Sequence, residues 1–329
     1  QGTLQAVGAP GAEIQFVRDA DGNWNARDLL AGGAGLQALP WPVQIERLHV
    51  DGATLRFHDV ASDSRVVFSD VALQTGALRD QVPGSFSLRG TALGEAASGD
   101  EVKLRIDGRY TLAQQLVAGR VDQLAVRLDG DAFGLKGATG SLQAAGVIWQ
   151  RGGEGIDLAS ATLALRGALG EQALDAAAEL PALGRDGLRV RGKDWKARLV
   201  VRARDRETRV EAELPAPTPS DQGFKAESLS LKFAHRSGKQ ALALQAASPL
   251  EVDVDQGAIR LPGVRGSVAA EHPALQAGKA SLPFQAQLAW QRSRGAQPGK
   301  TLLSMALSHG RETLNANAEL QTLWPLVGQ

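Results

Sequence analysis

A chain of 329 residues with 36 basic and 36 acidic side chains has no charge excess to hold a nucleic-acid backbone, so no nucleic acid is expected as a partner. It has no cysteine, which excludes disulfides and thiolate metal sites and fits an oxidising compartment. It also lacks a run of about 18–20 apolar residues, so no segment of it is expected to span a bilayer as a helix. Gln1 opens on neither Met nor a signal-peptide pattern, as expected of an interior or processed segment.

In chain order, the first turn-rich segment is Val17–Leu30. Asn25 can cap one short helical turn over Ala26–Leu30, which Gly32-Gly33 would end. Trp41 sits between Pro40 and Pro42 and enters an extended run at Val43. Asp51-Gly52 separates two alternating apolar runs and predicts a tight hairpin with His49 and His58 flanking it.

Period-two alternation then recurs to the end of the chain, the mark of strands with one apolar face. Leu55 and Phe57 open the series. Leu104 and Ile106 follow, then Leu124, Val126 and Leu128, then Leu199 and Val201. Leu229, Leu231 and Phe233 continue it, with Leu242 and Leu244 after them. Asp-Gly at 107–108, 129–130 and 186–187, with Ser-Gly at 98–99 and 237–238, reads as further hairpin turns. Thr111–Val117 has helix-forming composition, whereas Glu171–Leu180 alternates as a strand. Pro215–Gln222 carries three prolines and is the best internal break, either a long loop or a boundary. The expected fold is mainly β: one continuous, elongated, twisted antiparallel sheet over 1–329, with few short helices. Leu, Val and Ala on the inward faces suit an open concave sheet as well as a closed core.

Four segments resemble the AsmA family of bacterial envelope proteins. They are the D-x-D-G-N-W-N-x-x-x-L-L run at Asp19–Leu30, the V-x-I-x-x-L-x-V-x-G-A-x-L-x-F-x-D run at Val43–Asp59, and the shorter matches at Asp70–Leu78 and Leu104–Tyr110. The resemblance implies an open β-sheet curled into a groove. It also implies a periplasmic location, tethered to the inner membrane through an N-terminal anchor that this sequence lacks. The implied partner is a phospholipid or other acyl-chain lipid moving between the inner and outer membranes, with an outer-membrane protein partner of unknown identity. The fourteen apolar residues from Leu55 to Leu244 named above are then the expected lipid-binding groove. A second reading is a β-rich assembly factor that binds extended outer-membrane chains by strand addition.

No catalytic constellation is present in the sequence, and neither metal nor cofactor is expected. The five histidines lack H-x-x-H or H-E-x-x-H spacing. Gly-x-Ser-x-Gly and a Walker-type Gly-Lys-Ser/Thr are missing, so an enzyme is not expected. Trp24 with Asn23 and Asn25 reads as an indole covering the first strands, with amides making turn hydrogen bonds. Arg185–Arg209 holds ten basic and four acidic residues. There Arg198, Arg202, Arg204 and Arg206 take one strand parity and Leu199, Val201 and Ala203 the other, giving a charged outer face or a weak attraction for anionic headgroups.

Overall fold

Side chains that alternate can bury only one face of the backbone they belong to, and a sheet is the result. The computed structural model describes residues 2–19, 25, 43–60, 64–94, 100–113, 118–132, 134–149, 155–186, 189–273, 279–291, 299–309 and 312–322. Of these, 85% lie in strands and none in a helix. Two compact units divide the chain, Gln1–Leu163 and Ala164–Leu326, and the sheet is twisted and unclosed.

The first unit begins with β1 (Gly2–Leu4), β2 (Val7–Pro10), β3 (Glu13–Arg18), β4 (Val43–Ile45) and β5 (Leu48–Asp59). It continues through β6 (Ser64–Thr75), β7 (Pro83–Gly94), β8 (Glu101–Ala113), β9 (Ala118–Ala132), β10 (Leu135–Trp149) and β11 (Gly155–Leu158), and the boundary falls within β12 (Ser160–Leu169). Strands β5 to β10 form a meander of antiparallel neighbours. Against the other side of β5, β2 and β3 pair in parallel. The sheet is therefore mixed rather than purely antiparallel. The long excursion between Arg18 and Leu48 supplies the crossover that parallel neighbours need.

The second unit contains β13 (Gln172–Leu180), β14 (Ala182–Asp186), β15 (Arg189–Lys193), β16 (Trp195–Ala203) and β17 (Arg206–Leu214). Then come β18 (Thr218–Ser220), β19 (Gly223–Ser237), β20 (Gln240–Asp253) and β21 (Ala258–Glu271). The last three are β22 (Lys279–Gln291), β23 (Gly299–His309) and β24 (Glu312–Thr322). Its spatial order is β13-β16-β17-β19-β20-β21-β22-β23-β24, antiparallel throughout. The β14–β15 hairpin rests against β18 and β19; otherwise strands pack substantially only on their neighbours in the sheet. Among the described residues Val200 is the one large side chain less than 2% exposed. Pro215–Gln222 lies inside this unit and contributes β18, which pairs with β19.

Several expected turns are not turns. Asp51-Gly52 lies within the uninterrupted β5, where Gly52 at φ +63° forms a bulge between Val50 and Ala53. His49 and His58 therefore lie on one strand, about 30 Å apart at about 3.3 Å per residue, and cannot face each other. Asp107-Gly108 and Asp129-Gly130 are likewise inside β8 and β9. Gly238 does turn, at φ +54°, between Ser237 and its partner Gln240. Thr111–Ala113 completes β8 rather than starting a helix, and residues 114–117 lie outside the described residues. Gln172–Leu180 is a strand, as its alternation predicts. The expected helical turn at Ala26–Leu30, with Asn23, Trp24 and Trp41, also lies outside the described residues.

Candidate functional site

Residues directly opposed across a ladder share a face, so register shows which expected groove residues meet. In the first unit, Val50, Leu73, Leu88, Ile106, Val126 and Leu142 form one row across six strands. Leu55, Phe68, Ala92 and Val102 form a parallel row, and Leu104 opposes Leu128. Leu124 opposes Gly108 on the same face. Phe57 stacks on Phe16 with centroids 4.9 Å apart and meets Phe68 edge-on at 5.6 Å.

The second unit repeats the arrangement. Leu199, Val210, Phe233, Leu244, Val268 and Leu282 form a six-strand row. The next row holds Val201, Thr208, His235 and Leu242, and its polar pair satisfies itself with Thr208 Oγ1 and His235 Nδ1 at 2.8 Å. Leu231 lies between Ala212 and Ala246, and Leu229 opposes Ser248. All seven expected residues in each unit thus fall on one face of that unit's sheet. Leu242 is 40% exposed and the others are half-buried. Leu250, Leu261, Val264 and Phe284 are buried on the same face, packed with Leu229, Leu231 and Leu244. Their burial is consistent with a sheet curled toward that face, as in the expected groove.

A recurring device on this face was not read from the sequence: aromatic rings lie across directly opposed glycines. Phe86 covers Gly108, Tyr110 covers Gly84, Trp149 covers Gly119 and Phe284 covers Gly266. A Cβ built on Gly108 would come 2.4 Å from Phe86 Cε1. In a single layer a ring can leave water only by lying down on the neighbouring backbone, and glycine provides the space. Tyr110 is 5% exposed, and its hydroxyl donates to the carbonyls of Gly76 and Ala77 at 3.3 and 3.2 Å. Burial raises its pKa above the ordinary phenol value. Trp195, by contrast, donates Nε1–H to the Ala182 carbonyl at 2.7 Å and meets Phe224 edge-on.

The opposite face carries the charge. In the second unit Arg198 and Arg202 share it with Val200, which is 1% exposed between Asp175 and Arg209 on the adjoining strands. Arg166 and Arg198 both reach Asp175, at 3.1 and 3.8 Å, and Arg202 reaches Glu207 at 3.0 Å. Arg198 opposes Glu211, and Lys196 opposes Glu213. Carboxylates of β17 therefore offset the basic run of β16. Arg204 sits in the turn at φ +35°, and Arg206 opposes Ala203, so neither shares the Arg198 face. The two-residue turn inverts the parity on which their expected placement rests. The Arg202 hydrogen bond holds the Glu207 carboxyl below its ordinary range.

The same hydrophilic face of the first unit encloses a hollow of about 1310 Å³. Its side chains come from the rows Gln74, Ser87, Asp107, Ala125, Gln143 and Ser85, Arg109, Gln123, Ala145, bordered by Arg47 and His49. Of the expected groove residues only Leu124 contributes to its wall, so this hollow is not the acyl-chain groove. No group of three metal-ligating side chains occurs among the described residues. Asp107 accepts from Arg105 Nε at 2.7 Å and from Ser87 Oγ at 2.8 Å, and these bonds hold its carboxyl below the usual range. Comparison with protein-family models, with curated proteins and with solved structures finds no match to the chain.

Proposed function

We propose that the apolar face of this sheet binds lipid acyl chains, and that the chain is a periplasmic, AsmA-like segment supporting phospholipid movement between the inner and outer membranes. One observation carries the reading. Six-strand rows of apolar side chains, with Leu88, Ile106 and Val126 in one unit and Leu199, Phe233 and Leu244 in the other, share one face of each unit's sheet and stay half-exposed. Such rows attract hydrocarbon without fixing its position, since the gain scales with area and not with direction. A chain of about sixteen carbons, half removed from water, gains on the order of 6 kcal/mol at about 0.8 kcal/mol per buried CH₂. A bilayer buries the same chain fully, so a groove-bound lipid is exchangeable with membranes. The mechanism is passive and uses no cofactor.

Native mass spectrometry with lipid extraction tests the proposal. The purified chain is expected to carry phospholipid and to take up a fluorescent analogue; failure of both would overturn it. Leu104→Glu, Val126→Arg and Leu231→Arg separate groove from core. Each is expected to lower uptake at least about tenfold while costing no more than about 2 kcal/mol of stability, because a charge at a half-exposed position keeps its water. The outer edge of β24, which bonds only to β23 among the described residues, favours strand addition as a second reading. Protection of β24 amides from hydrogen exchange by an unfolded outer-membrane chain, with no lipid uptake, would select it.

A further inference from the structure

Arg47 and Arg109 are the basis of a second site. Both are exposed, both line the hydrophilic hollow, and neither has an ion-pair partner among the described residues. Among the described residues other exposed arginines, Arg56 with Glu13 at 2.8 Å, Arg120 with Asp122 at 2.6 Å and Arg202 with Glu207 at 3.0 Å, are answered by a carboxylate, while Arg89, Arg260 and Arg265 are not; Arg47 and Arg109 are set apart by lining one hollow. The one carboxylate of the hollow, Asp107, is already neutralised by Arg105. Ser85 opposes Arg109, and the Gly76 N–H donates to the Ser85 carbonyl at 2.7 Å, so small residues separate Arg109 from the Arg47 and His49 side of the hollow. By strand spacing that separation is on the order of 15 Å, within which two extended guanidinium groups can approach one ligand. Gln74 lies between them and Gln123 and Gln143 on the far side of Arg109, all three lining the hollow with amides able to donate and to accept. The ladder skips Asp122 at the bulge beside Arg109, where Arg109 opposes Gln123 and Tyr110 opposes Val121.

We infer that this hollow binds a phosphate ester carried beside free hydroxyl groups, the guanidinium groups taking the phosphate and the amides the hydroxyls. Guanidinium pairs suit phosphate oxygens because their forked N–H groups match them in geometry and charge. The site is on the face opposite the acyl-chain rows and does not depend on that reading. Two sources share the chemistry: a soluble sugar phosphate and the glycerol-phosphate headgroup of a lipid.

The test titrates the whole chain with glucose 6-phosphate and with glucose by calorimetry. In parallel, it is sedimented with phosphatidylcholine vesicles with and without phosphatidylglycerol. Saturable binding of glucose 6-phosphate but not glucose, weakened at least about tenfold in the R47Q/R109Q double variant, supports a soluble ligand. Recovery on phosphatidylglycerol vesicles alone, lost in the same variant, supports a headgroup. Lys239→Gln, at the β19–β20 turn of the other unit, is the control and is expected to change neither. Thermal unfolding is expected to be unaltered in the double variant, since no ion pair is removed. Absence of binding to every phosphate probe, or binding equal in wild type and double variant, overturns the inference.

Discussion

Gly108 carries no Cβ because the ring of Phe86 occupies the place where one would be. Gly108→Ala is expected to lift that ring and cost about 1–3 kcal/mol in denaturant unfolding, as overpacking does. Adding Phe86→Ala should remove most of the further penalty, so a double-mutant cycle with no coupling between the two would contradict the contact. Tyr110→Phe leaves the ring over Gly84 and removes only the hydroxyl, at an expected cost of about 1 kcal/mol. Protonation acts at the same scale. Asp107, Asp131 and Glu207 have pKa values lowered chiefly by hydrogen bonds from Arg105, Lys136 and Arg202. A carboxyl lowered in the folded state adds stability above its unfolded pKa and loses it as pH falls through the folded value. Stability is therefore expected to be flat near neutrality and to decline below about pH 4. Asp107→Asn should make that decline shallower in a series of melting temperatures against pH.

Asn25 shows how an element's edge is protected. Its Oδ1 accepts from the Val17 N–H at 2.9 Å, its Nδ2 donates to the Gln15 carbonyl at 3.0 Å, and its own N–H donates to the Val17 carbonyl at 2.9 Å. One residue thus hydrogen-bonds the side of β3 that no strand pairs among the described residues, a side able to offer a template for another chain. Asn25→Ala is expected to speed hydrogen exchange at the Val17 amide by about tenfold, the equivalent of one modest hydrogen bond. At this scale strands and facing were legible in the sequence, because period two is a local property: Leu104, Ile106 and Val126 alternate wherever their strands are placed. Turns were less so. Asp-Gly at 51–52, 107–108 and 129–130 has turn chemistry, but its glycines serve a bulge, a ring and a close backbone approach that only cross-strand register reveals. The Phe86–Gly108 pair is twenty-two positions apart in the chain, and nothing local marks it. The hollow was illegible for the same reason, since Arg47, Ser85 and Arg109 are brought together by pairing across β6, β7 and β8.

Within each unit, almost every strand touches only the strands it is bonded to. Stability in such a lattice is close to a sum over adjacent pairs, as in stacked-repeat proteins, with the buried cluster around Leu250, Leu261 and Phe284 adding cohesion to the second unit. Melting is therefore expected to proceed inward from boundary strands such as β24, with a calorimetric enthalpy exceeding the van't Hoff value; equality of the two would show concerted collapse. The same additivity bears on ancestry. Inserting or deleting one whole hairpin preserves the parity of every strand beyond it, so such proteins can change length by duplication while each surviving interface keeps its chemistry.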